Sequence, residues 1–112
     1  MSSINPQKAL EDIARSAPAY AKAKAERIYV EEYRKVLKAQ LMQHAEADGH
    51  KTAAAQEREA YAHSTYGLHL EALRDAIEAE ETLRWRMVAA EAAVEVWRSM
   101  EASNRRMDRA TS

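Results

Sequence analysis

Large apolar residues recur along this chain at intervals of three and four, and nowhere alternate strictly with polar ones, so the pattern is helical throughout. Val30, Tyr33, Leu37, Leu41 and His44 draw one stripe, which Tyr29, Val36 and Gln40 widen. Further on, His69, Leu73, Ala76, Glu80, Leu83, Met87, Ala90, Val94, Trp97 and Glu101 alternate by four and three. That is a coiled-coil-like seam with two acidic interruptions. Leu70 and Ile77 flank its start, and Val88 and Val96 lie beside it later. Near the beginning, Leu10, Ile13, Ala14 and Ala17 share one side of a helix.

Punctuation between the periodic stretches sets the boundaries. Asn5 is a good N-cap, and Pro6 at the first helical position forfeits no hydrogen bond. Pro18 disfavours a helical Ala17 and lacks an amide donor, so the first helix is predicted over 6–16 and a second over 19–47. Asp48-Gly49-His50 is the stop, with Gly49 in the left-handed conformation that closes a helix. Thr52 caps a helix over 53–62. His63-Ser64-Thr65 then breaks the chain before a helix over 65–105, with one uninterrupted helix as the alternative and Gly67 its weak point. The last stretch, 104–112, is polar and basic and is expected to fray. The expected fold is all-α and a single domain, 1–112: a long antiparallel helical hairpin with a short N-terminal helix.

Composition adds an expectation about assembly. Of 112 residues, 24 are alanine and only 16 are Ile, Leu or Val. Each buried large aliphatic side chain contributes about 1.5–3 kcal/mol, and these must offset the ordering of the whole chain. Leu73, Leu83, Met87, Val94 and Trp97 fit within a hairpin. Tyr29, Val30, Val36, Trp85, Val88 and Val96 do not all fit the same seam. A second copy would cover Val30, Trp85, Val88 and Val96, giving a homo-oligomeric bundle: a dimer, or alternatively a tetramer.

The chemistry is sparse. There is no cysteine, which removes disulfides and thiolate zinc sites. Two glycines are too few for a phosphate loop, and nothing resembles a nucleophile elbow. His44 and His50 flank the turn with Glu46 and Asp48, but the plain reading is a polar helix end. Neither Glu-x-x-His nor His-Glu-x-x-His occurs. Glu78-x-x-Glu81 could begin a magnesium-binding acidic motif, but its second half is missing; Glu71, Asp75, Glu78, Glu80 and Glu81 read as a solvated acidic face. The expectation is no enzyme, no cofactor and no metal. No apolar run is long enough to span a membrane. Met1-Ser2-Ser3-Ile4 lacks the layout of a secretory signal, which points to the cytoplasm.

Two basic sets are candidate partner or nucleic-acid contacts. Tyr29 and Tyr33 lie one turn apart beside Arg34 and Lys35, and aromatics among basic residues can stack single-stranded bases. Arg98, Arg105, Arg106 and Arg109 make the end of the last helix basic, whereas 71–81 is acidic. Cations there also suit the helix dipole. The net charge of −1 argues against strong general binding of nucleic acid.

Tyr61-Ala62-His63-Ser64-Thr65-Tyr66, then Leu70, Leu73 and Ala76, then Glu81-x-Leu83-Arg84-Trp85 and Glu95-x-Trp97-Arg98 make residues 53–106 resemble small helical proteins of bacteriophages and prophages. Such proteins are encoded among phage replication and recombination genes. The resemblance implies a setting, the cytoplasm of a bacterial host, and no site residue. The resulting expectation is a non-enzymatic phage accessory protein acting through contacts with itself and with a phage or host protein. The alternatives are a single-stranded DNA-binding protein, or an inhibitor of a host nuclease or CRISPR-type defence complex that presents the acidic face.

Overall fold

The computed structural model describes residues 4–111. Met1, Ser2 and Ser3, on which the absence of a signal was read, lie outside the described residues, as does Ser112 at the end of the basic tail. Three helices account for nearly all of the rest: α1 (Pro6–Ala47), α2 (Ala53–Ala62) and α3 (Ser64–Thr111). No strand occurs among the described residues.

The caps are where the residue types demand them. The Asn5 side-chain oxygen accepts from the Lys8 amide at 3.1 Å, so Pro6 opens α1 without losing a bond. At the other end Gly49 has φ +106°. The His50 amide donates to the Ala45 carbonyl at 3.0 Å and the Gly49 amide to that of Glu46 at 3.1 Å. That pair of bonds is a Schellman closure. Thr52 accepts from the Ala55 amide at 3.1 Å to start α2.

Two expected boundaries are corrected. Helices over 6–16 and 19–47 are one helix, with Pro18 inside it. Pro18 and Ala14 are both exposed, so the proline ring faces solvent and water can reach the Ala14 carbonyl that the missing amide leaves over. The inward positions also run through the proline without a change of phase. Ala9, Ile13, Ser16, Tyr20, Ala23, Arg27, Val30, Arg34, Leu37 and Leu41 are all buried or half-buried and alternate by four and three. Leu10, Ala14 and Ala17, expected to share an inward side with Ile13, are exposed. His44 is exposed too, and Ala45 takes the buried place in its stead.

The second correction is at the C-terminus. The last helix does not end at 105 but continues to Thr111, whose hydroxyl donates to the Met107 and Asp108 carbonyls at 3.2 Å. Between α2 and α3 the break is real and sits on His63, at φ −70° and ψ 138°. Its ring Nδ1 accepts from the Thr65 amide at 3.0 Å, so the histidine itself caps α3.

The helices pack as two compact units. One comprises Lys22–Glu80. Its core is Leu37, Leu41, Ala60 and Tyr66, with Tyr33 and Met42 against them. The pairing is antiparallel: Lys38 meets Glu57 near the turn, and Arg27 meets Glu80 far from it. The other unit joins the start of α1 to the end of α3, from Glu81 onward. Here Ile4–Asp12 lies along Arg86–Ala93, forming one groove, and Ala9, Ser16 and Ala90 are buried. Every residue of the seam read from His69 to Glu101 is buried or half-buried.

Candidate functional site

Within Lys22–Glu80, a band of rings and cations runs along α1. Tyr29 stacks on Tyr33 with centroids 6.1 Å apart, and Tyr33 meets the His69 ring at 5.7 Å. His69 Nε2 lies 2.7 Å from the Val30 carbonyl, joining α3 to α1. A further turn along, Arg34, Lys35, Lys38, Tyr61 and Tyr66 line a cavity of about 300 Å³. Tyr61 and Tyr66 pack edge to face at 5.2 Å. Lys38 lies 4.9 Å above the Tyr61 ring and 3.2 Å from the Glu57 carboxylate. Its ammonium is held above the ordinary lysine value by Tyr61 first and Glu57 second. Lys35 pairs with Glu32 at 3.1 Å. The sequence-derived set Tyr29, Tyr33, Arg34 and Lys35 is thus brought together, and Lys38, Tyr61 and Tyr66 join it. Lys38 lies one turn beyond Arg34 on α1, a spacing the sequence displays, whereas Tyr61 on α2 and Tyr66 on α3 reach it only through the tertiary fold. Glu32 and Glu57 thus pair with two of the band's cations, Lys35 and Lys38.

The same unit contains a part-buried ion pair. Arg27 Nε and Nη2 donate to the two Glu80 carboxylate oxygens at 2.7 and 2.9 Å, and Nη1 donates to Glu31 at 2.8 Å. Glu80 is only 6% exposed. The Glu80 bonds, and after them the Glu31 bond, raise the Arg27 pKa further above its already high value. Glu80 therefore belongs to the interior, not to a solvated acidic face. Glu71, Asp75 and Glu78 are exposed, with Arg74 3.5 Å from Asp75.

His44, Asp48, His50, Glu59 and His63 line one cavity near the turn. His50 and Glu59 approach only to 4.0 Å, and no group of three ligands able to hold a metal occurs among the described residues.

In the other unit, Trp85, Val88, Val96, Met100 and Met107 are exposed on α3. Trp85 is 58% exposed, with the Arg84 guanidinium 4.5 Å from its ring and Arg84 in turn bonded to Glu81 at 2.7 Å. Of the residues expected to be shared between copies, Trp85, Val88 and Val96 lie on this open face, whereas Val30 is half-buried in the α1 seam. Met100 and Met107 extend the face beyond what the sequence reading included; their spacing from Val96 was the signal. Arg98 pairs with Glu95 at 3.2 Å, and Arg105, Arg106 and Arg109 line a shallow depression with Ala102. Comparison with protein-family models, curated proteins and solved structures returns no match.

Proposed function

We propose that this chain is a non-enzymatic accessory protein that works by contact with other proteins, itself included. The observation that carries the reading is the outward placement of its large apolar side chains. Leu10, Ile28, Tyr29 and Val36 on α1, and Trp85, Val88, Val96, Met100 and Met107 on α3, are all exposed. Long helices with apolar residues on their outer faces are suited to receiving other helices. The setting we propose is a phage-infected bacterium, with a phage or host protein of DNA replication or recombination as the further partner. The resemblance of residues 53–106 supports that setting.

The test is affinity capture from infected cells with the wild-type chain and with Ile28→Glu and Trp85→Glu variants as bait. The expected outcome is a defined phage or host protein recovered by the wild type and lost with one variant. Recovery of the bait alone would contradict the further partner.

Direct binding of single-stranded DNA is the second reading, favoured by the cavity that Arg34, Lys35 and Lys38 share with Tyr61 and Tyr66. Fluorescence anisotropy with a labelled oligonucleotide tests it: this reading requires binding at low salt that weakens as salt rises, and no binding at low salt removes it.

A further inference from the structure

Along α1, Arg27 is held by Glu80 and Glu31, Lys35 by Glu32 and Lys38 by Glu57. Arg34 lies among them and is half-buried, yet its guanidinium meets no hydrogen-bond or ion-pair partner among the described residues. Tyr66, on α3, is in the same condition. It is only 9% exposed and its ring packs against Tyr61, but its hydroxyl has no partner among the described residues. A hydrogen bond left unmade at so enclosed a group costs about 1–3 kcal/mol unless water or a ligand makes it. No side-chain nitrogen or oxygen sealed from solvent lacks a partner among the described residues, so both groups are open. Both residues line the cavity of about 300 Å³ that Lys35, Lys38 and Tyr61 complete.

We propose that this cavity holds one nucleotide, with its phosphate on Arg34 and Tyr66 and its base against the Tyr61 ring. The inference rests on the strand-binding reading and narrows it to a single unit. Charge selects an anion. Three cations line the cavity and Glu32 and Glu57 offset two of them, which leaves the charge of Arg34 over. The donors select phosphate rather than carboxylate. A phosphate group offers three acceptor oxygens, and the guanidinium fork engages two at once. The Tyr66 hydroxyl is a further donor, brought in from a different helix. Size selects more than a bare phosphate: at about 30 Å³ per water, the cavity has the volume of about ten waters. Tyr61 is 47% exposed, so ring surface is left on which a base can rest. A long run of phosphates is a poorer fit, since each would need its own cation and Lys35 and Lys38 are already paired.

Isothermal titration calorimetry of the full chain with a nucleoside monophosphate tests this, beside the matching nucleoside, inorganic phosphate and glutamate. The nucleotide is expected to bind with a Kd below about 1 mM, and the other three at least about tenfold more weakly. Arg34→Gln should weaken nucleotide binding at least about tenfold, and Tyr66→Phe about threefold to tenfold. Should Arg34→Gln misfold, Tyr66→Phe carries the test, because it removes only a hydroxyl. That hydroxyl is unpartnered in the free chain, so Tyr66→Phe should not lower the melting temperature; a fall would contradict the site's open donor. No nucleotide binding, inorganic phosphate bound as tightly as the nucleotide, or an affinity indifferent to both substitutions overturns the proposal. Glutamate bound as tightly does so too, and would assign the cavity to an acidic side chain of a partner protein. A labelled oligonucleotide separates the free nucleotide from one within a strand. Nucleotide binding without strand binding would remove the strand reading and leave this site standing. Strand binding with no response to the mononucleotide would overturn the site and leave the strand reading.

Discussion

Gly49 and His63 show how single residues set the path of this chain, and they differ in how openly the sequence declares it. Gly49 is readable because glycine alone adopts φ +106° without strain, and it follows a run with no other breaker. Nothing crowds the position where a Cβ would stand, so a substitution there meets backbone strain and no clash. Gly49→Val is expected to lower stability by about 1–2 kcal/mol, measured by urea denaturation. An unchanged midpoint would mean that the turn relaxes to another conformation. His63 was less readable, because histidine is not an established cap and Ser64 and Thr65 were the natural candidates. Its Nδ1 nevertheless accepts from the Thr65 amide, which requires that nitrogen to carry no proton. His63→Ala should cost about 1 kcal/mol, and His63→Asn should recover most of it; equal losses in both would show that the ring serves another purpose.

At the scale of helices, periodicity was a better guide than punctuation. The seam from His69 to Glu101 was legible despite its acidic interruptions, because ten positions agree in phase. The inward face of α1 was legible from Val30 to Leu41 but not before it, since Ala9, Ser16, Ala23 and Arg27 carry little hydrophobic signal. Small side chains there permit close approach of the helices, and Arg27 is inward only because Glu80 meets it from α3. A local rule about proline then outweighed a weak pattern that continued through it. Pro18 still removes one helical bond, so Pro18→Ala should stabilise the protein by up to about 3 kcal/mol and raise its melting temperature. A lower melting temperature would mean that the chain depends on the local geometry proline imposes. The end of α3 lies beyond the expected 105 because the polar, basic make-up of 104–112 was weighed as a signal of fraying, although Arg105, Arg106 and Arg109 also suit a helix end. They are also strong helix formers, and cations favour a helix C-terminus. Lys38 has a raised pKa, so what its pairing contributes is fully present below the usual lysine value of 10.5 and is lost only as pH rises past it. Thermal melts at pH 7 and pH 9 should therefore show no loss attributable to Lys38.

At the scale of the molecule, the fold class and the antiparallel hairpin were legible because a chain with two glycines and two prolines has few ways to turn. The aromatic and basic band was only half legible: Tyr29, Tyr33, Arg34 and Lys35 adjoin in sequence, whereas Tyr61 and Tyr66 arrive through the tertiary fold. Function was the least legible, since contact surfaces carry no fixed motif. What the chain does carry is apolar surface on the outer side of α3, which a solitary copy leaves in water. Sedimentation equilibrium of the wild-type chain at micromolar concentration tests that account most directly. It predicts twice the 12.7 kDa chain mass, falling to the single mass in Trp85→Glu, while a wild-type chain that sediments at 12.7 kDa would contradict it.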